Sequence, residues 1–335
     1  AGYQGSCNLS QTLAATERGV NVVIWFASNL LRDPATGKPA VQNFPDPDCV
    51  ARVRAAIAER GLATAHLVTV GGWDAPHPDT TVSGRDWFDV WHAWNSALPW
   101  PFDGLDWDLE GNDNLHSQYS EFTPETLELV VDMSVAAKAA GYVVTLVPAQ
   151  SYFDVTEHGF SRSLKLAYED WHPEFTYRGR NSYAYILAAA PAGTFDLVTV
   201  QLYENWARAD QALVQEARPP AEYLQRWAAA AHAGWRVNFS DARMALRGVH
   251  EVRLAPGQLM VGLSFGGSPG KSAFFWPSSL AAAYLAAPVA QRPRGYAYWN
   301  IGLDGGPANG TGPPVDLAAG LNAFLRVRGG GEVLV

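Results

Sequence analysis

The chain has 335 residues, 48% of them hydrophobic and only 17% charged, with 24 lysines and arginines against 33 acids for a net charge of −9. That balance excludes a disordered chain, which needs low hydrophobicity and high net charge. Only four basic residues are lysines (Lys38, Lys138, Lys165, Lys271) and no basic cluster occurs, so neither nucleic acid nor a membrane surface is expected as a partner.

Length alone is compatible with about two domains of roughly 150 residues or with one large α/β barrel. Thirteen Trp, thirteen Tyr and fourteen Phe exceed what a core of this size needs, so some are expected to line a cleft for flat ligands such as sugar rings. The N-terminus, Ala1-Gly2-Tyr3, has neither a basic nor an apolar leader segment, so any signal peptide is expected to have been removed already. Cys7 and Cys49 could form one bridge or remain two buried thiols. Sequons at Asn8, Asn238 and Asn309 add weak support for a secreted, extracellular protein. No apolar run approaches the ~18 residues of a membrane span.

Strand-like and helix-like segments then alternate along the chain. Strands are predicted at Asn21 to Ala27, Ala65 to Gly72, Phe102 to Glu110, Tyr142 to Pro148, Phe195 to Tyr203, Leu259 to Gly266 and Gly295 to Ile301. Most are continuous β-branched and aromatic runs, the pattern of parallel strands buried on both faces. Helices are predicted at Asp48 to Arg60, Ser83 to Ala97, Pro124 to Ala140, Pro220 to Ala233, Ser278 to Ala286 and Val315 to Arg326. Thr123 ahead of Pro124 reads as an N-cap with proline at the first helical position, and Gly141 as the stop. Seven β–α units, with Gly2 to Gly5 as a short first strand, predict a single (β/α)8 TIM barrel over residues 1–335.

The segment Asp103-Gly104-Leu105-Asp106-Trp107-Asp108-Leu109-Glu110 carries the chemistry. Period-two alternation puts Asp106, Asp108 and Glu110 on one face of the strand, and Leu105, Trp107 and Leu109 on the other. Like charges about 7 Å apart in a low dielectric push at least one proton back on, which keeps a carboxylic acid protonated near neutral pH. Glu110 falls at the C-terminal end of the strand, where barrel active sites lie. Helix capping does not explain three acids on an inward face. A calcium site would favour loop carbonyls. The eight histidines lack metal-ligand spacing, and no dinucleotide fingerprint, P-loop or G-x-S-x-G occurs. No cofactor and no metal is expected.

Asp103-Gly-x-Asp106-x-Asp108-x-Glu110 on a fourth strand resembles the motif of glycoside hydrolase family 18, the chitinases and their relatives. Five fixed positions would match by chance about once in a million starts. Thr69-Val70-Gly71-Gly72 resembles the family's S-x-G-G, with Thr for Ser, and Gln201-Leu202-Tyr203 resembles the Q-x-Y of its plant and fungal branch. Trp299 resembles the tryptophan that floors the sugar pocket from the last strand. The resemblance implies a retaining reaction without a protein nucleophile. Glu110 would protonate the glycosidic oxygen, and the substrate's acetamido oxygen would attack the anomeric carbon. Asp108 would hold the acetamido N–H, with Asp106 behind it sharing its proton. Tyr203 would bind the acetamido group, while Trp299, Gln201, Gly71, Gly72 and Trp73 would form the substrate site.

The expectation is an endo-chitinase acting on chitin or N-acetylglucosamine oligomers as a monomer. An endo-β-N-acetylglucosaminidase acting on N-glycans and a non-catalytic chitinase-like lectin are the alternatives. Gly266 to Gly295 leaves no room for a large insertion domain between strands seven and eight, which predicts a shallow groove. The extra length between Pro148 and Phe195 carries Tyr152, Phe153, Trp171, Tyr177 and Tyr183, some of which are expected to line that groove.

Overall fold

In the computed structural model, residues 1–111, 116–164, 180–203, 207–255, 257–265 and 274–325 are described. Their strands are β1 (Gly2–Gln4), β2 (Val22–Arg32), β3 (Pro39–Gln42), β4 (Ala65–Gly72), β5 (Gly104–Leu109), β6 (Val143–Leu146), β7 (Leu197–Gln201), β8 (Trp235–Phe239), β9 (Gly248–Val252), β10 (Leu259–Ser264) and β11 (Gly295–Trp299). Around them run α1 (Leu9–Glu17), α2 (Pro47–Glu59), α3 (Gly84–Ser96), α4 (Pro124–Ala139), α5 (Ser182–Ala189), the single turn α6 (Arg208–Asp210), α7 (Pro220–Ala233), α8 (Pro277–Ala286) and α9 (Leu317–Leu325).

Strands β1, β2, β4, β5, β6, β7, β10 and β11 pair in parallel around a closed ring, because β1 hydrogen-bonds both β2 and β11. This is the predicted (β/α)8 barrel, and its first strand is short, as expected. The interior is filled by side chains such as Ile24, Leu67, Val147, Leu197, Met260 and Ala297, so the barrel is a packed core and not a pore. The outward residues of β5 pack against the helical layer, where the Trp107 indole N–H donates to Ser134 Oγ on α4 at 2.8 Å.

The predicted termini of α4 are visible as caps. Thr123 Oγ1 accepts from Thr126 N at 3.0 Å, Pro124 begins α4, and Gly141 leaves it at φ +90°. Asp46 Oδ1 accepts from Asp48 N at 3.0 Å and starts α2 the same way.

Several features depart from the sequence expectation. Helices α1 and α5 were not predicted. The N-cap of α1 is Asn8, whose Oδ1 accepts from Gln11 N at 3.1 Å. Strand β2 continues past the ring and pairs antiparallel with β3. The antiparallel hairpin β8–β9 occupies the connection between α7 and β10, so not all of the extra length lies between Pro148 and Phe195. Phe239 of the hairpin stands edge-on to Phe160 at 5.4 Å and to Tyr185 of α5 at 5.3 Å. Between the seventh and eighth ring strands the described residues hold α8 and one short 3-10 turn, while 266–273 lie outside the description.

Cys7 and Cys49 are disulfide-bonded, with their Cα atoms 6.2 Å apart. The bond ties the segment before α1 to the first turn of α2, which resolves the alternative that the sequence left open. Closing a loop over 42 residues stabilises the fold by about 4 kcal/mol in the chain-entropy view.

Candidate active site

The three acids rise along one face of β5 into the mouth of the barrel. Their exposure climbs from 0% at Asp106 to 7% at Asp108 and 9% at Glu110, so only the upper end of the ladder approaches solvent. Glu110 is the first residue past the strand, at its C-terminal end.

Asp106 forms the floor. Its carboxyl accepts from the Tyr3 hydroxyl at 3.0 Å, from Thr145 Oγ1, and more distantly from Thr69 Oγ1 at 3.5 Å. Burial pushes its pKa up to about 6, and these three donors act in the opposite direction by favouring the charged form.

Above it, Asp108 and Glu110 share a hydrogen bond. Burial and the charge of Glu110 hold Asp108 well above the usual carboxylate range, and burial also raises Glu110. Asp106 is occupied by Tyr3 and Thr145, whereas one amide donor, Gln201, bridges the pair above. Gln201 Nε2 donates to Asp108 Oδ1 at 2.9 Å and lies 3.1 Å from Glu110 Oε1 and 2.8 Å from the Val147 carbonyl.

Gly71 and Gly72 supply space. Both have left-handed backbones, at φ +98° and +126°. A Cβ on Gly71 would lie 2.7 Å from the Asp108 carbonyl oxygen, and one on Gly72 would lie 2.3 Å from Phe26 Cζ. The first glycine thus lets β5 approach, and the second admits the Phe26 ring. That ring stands edge-on to Trp299 at 4.8 Å, and Tyr3 lies 6.0 Å from Trp299 on another side. Trp299 is half-buried at the end of β11. Tyr203, two residues beyond Gln201, is half-buried and near enough to contribute to the electrostatic surroundings of Tyr3. Trp73 follows β4 and is 49% exposed, so it can offer a ring to a ligand without rearrangement.

The groove expectation for Tyr152, Phe153 and Tyr183 is corrected: all three are buried. Two of them instead hold backbone beneath the cleft. The Tyr183 hydroxyl accepts from Leu109 N at 2.6 Å, and the Tyr152 hydroxyl accepts from Gly111 N at 3.4 Å. Trp171 and Tyr177 lie outside the described residues.

Sequence reasoning missed Tyr3, Thr145 and His77 as parts of this site. Tyr3 and Asp106 are 103 residues apart, and only barrel closure brings them together. Among the described residues, no group of three or more His, Cys, Asp or Glu side chains could hold a metal ion. Nor is any described helix long and apolar enough to cross a membrane.

No protein-family model and no curated protein matches the sequence. Solved structures do. A family GH18 chitinase from Chromobacterium violaceum superposes with a TM-score of 0.62 at 16% identity, over 97% of this chain and 83% of the other. The chitinase ChiC from Aspergillus fumigatus gives 0.50 at 16% identity, over 89% of each chain. Active domain 2 of the Pyrococcus furiosus chitinase, in catalytic-site mutants complexed with chito-oligosaccharides, gives 0.53 at 10% identity, over 98% and 95%. The chain therefore has the barrel fold of these chitinases.

Proposed function

We propose that the chain is a family 18 glycoside hydrolase, a secreted endo-chitinase that cleaves β-1,4 bonds between N-acetylglucosamine units with retention. The observation that carries this reading is the paired Asp108 and Glu110 at the barrel mouth, sharing one hydrogen bond and bridged by Gln201. Burial raises the pKa of Glu110 against the lowering effect of its hydrogen bonds with Asp108 and Gln201, and in this reading Glu110 delivers the pair's proton to the glycosidic oxygen. As that bond breaks, the substrate's acetamido oxygen attacks the anomeric carbon and an oxazolinium ion forms. Asp108 then turns from Glu110 to the acetamido N–H and stabilises the developing positive charge. Glu110, now a carboxylate, takes the proton from the water that opens the oxazolinium ring.

Aromatic side chains at the barrel mouth support this substrate class. Trp299 offers a half-buried ring, flanked by Phe26 and Tyr3, that in this reading lies beneath the −1 sugar. In this reading Tyr203 donates to the acetamido group. An assay on chitin oligomers beside one on an N-glycosylated protein tests the reading. Release of shorter oligomers from the first substrate, with the β-anomer appearing first, is expected. Release of glycans from the second alone would transfer the assignment to an endo-β-N-acetylglucosaminidase, and binding without turnover would make the chain a lectin.

A further inference from the structure

The ladder that holds the residues before Glu110 runs out at the acid itself. Strand β5 pairs with β4 only as far as Leu109, opposite Gly72, and with β6 only as far as Trp107. Beyond those points the backbone polar groups still require partners, because buried peptide groups left unpaired are costly. Side chains from three separate segments take over. Tyr183 of α5 accepts from Leu109 N and donates to the Leu109 carbonyl at 3.1 Å. Tyr152, just after β6, accepts from Gly111 N. His77, from the segment that follows β4, bonds the carbonyl of Glu110 itself, with Nε2 at 2.8 Å from the oxygen.

We propose that His77 is a positioning residue for Glu110, fixing the peptide from which the acid side chain departs. The inference rests on the reading of Glu110 as the catalytic acid. A carbonyl oxygen only accepts, so the Nε2 of His77 must carry the proton. The ring is 7% exposed and lies nearly parallel to Phe122, 13° between planes and 5.0 Å between centroids, with Tyr119 on another side at 5.6 Å. These contacts restrict the ring, and the hydrogen bond restricts the carbonyl it holds. Gln201 secures the carboxyl end of Glu110 while His77 secures its backbone, so the acid is held at both ends.

The same surroundings keep the imidazole uncharged. Burial lowers its pKa to about 4, against the opposing effect of its bond to Glu110. A protonated ring here would favour ionised Glu110 and leave less of the protonated acid. A neutral ring holds the peptide without that electrostatic cost.

The test uses two variants of the full chain. His77→Phe keeps a flat ring against Phe122 but removes the donor, and His77→Gln restores an N–H of similar reach. On a chitin oligomer, His77→Phe is expected to lower kcat by roughly 10-fold to 100-fold, the scale of a lost orientation, with KM within about twofold. His77→Gln is expected to recover a large part of that loss. A kcat for His77→Phe within twofold of the unaltered chain overturns the inference, as does an equal loss in both variants. Amide exchange at Gly111 reads the clamp without any turnover. Faster exchange in His77→Phe, with the amides of β4 unchanged, upholds it, and unchanged exchange rejects it. If the unaltered chain cleaves nothing, the glycosidase reading fails, and exchange at Gly111 still decides the role of His77.

Discussion

Asp108 and Glu110, two residues apart on one face of β5, are joined by a hydrogen bond, and a single amide donor, Gln201 Nε2, spans them at 2.9 and 3.1 Å. Glu110→Gln removes the transferable proton but keeps the shape and one acceptor for Gln201. Turnover is expected to fall by at least about 10²-fold, the usual scale of a lost general acid, while a chitin oligomer still binds, as calorimetry would show. Asp108→Asn is expected to cut kcat heavily as well, since its charge counts most when the oxazolinium forms. Wild-type turnover in Glu110→Gln would contradict the role given to the acid.

Gln201 sets where the pair titrates. Its N–H stabilises the ionised forms and so lowers the pKa of both carboxyls, against the larger effect of burial that raises them. Removing the donor in Gln201→Leu lets both rise further. The pair then holds its single proton over a higher pH range, so both limbs of the kcat/KM profile should move upward. Activity is lost at the acid side and retained further into the alkaline side. Limbs that stay in place would mean that Gln201 does not contact the ionised pair.

Gly72 is a position where one methyl group is decisive. Its backbone is left-handed at φ +126°, and a Cβ would lie 2.3 Å from Phe26 Cζ. Gly72→Ala is expected to cost on the order of 2–3 kcal/mol and to displace Phe26 from the edge of Trp299. Thermal unfolding reads the first effect and oligomer affinity the second. A variant with unchanged stability and affinity would show that the ring moves freely.

The Cys7–Cys49 bridge leaves no free cysteine. Thiol titration of the denatured, unreduced chain should find none. Reduction should lower stability by about 4 kcal/mol, as expected from the 42-residue separation. Two reactive thiols before reduction would contradict the bridge.

Much of this was legible in the sequence because the signals were local. Apolar runs, most of them continuous, marked seven of the eight ring strands, and alternation in residues 103–110 placed three carboxyls inward without any coordinates. Thr123-Pro124 and Gly141 bounded α4 for the same reason. What stayed hidden depends on closure or on backbone. Tyr3 meets Asp106 only because β1 closes the ring, and His77 contacts a carbonyl that every residue possesses. Tyr152 and Tyr183 look like cleft aromatics in sequence, yet their hydroxyls serve peptide groups where the β5 ladder ends. The hairpin strand Trp235-Arg236-Val237-Asn238-Phe239 was readable: its residues alternate buried and exposed, a half-buried antiparallel pattern unlike the continuous runs of the ring.

The central claim is that the substrate, and no protein group, supplies the nucleophile at this ladder. Asp106 lies about 13 Å along the strand from Glu110, far from the 5–5.5 Å, roughly, that separates the carboxyls of enzymes with a protein nucleophile. Asp108 is assigned to the acetamido nitrogen. The most direct measurement compares cleavage of a fully acetylated oligomer with that of the same oligomer lacking only the N-acetyl group of the −1 sugar. The account predicts that the second binds in the groove and resists cleavage while the first is cut. Comparable cutting of both would contradict it, because a carboxylate or a water would then be making the attack.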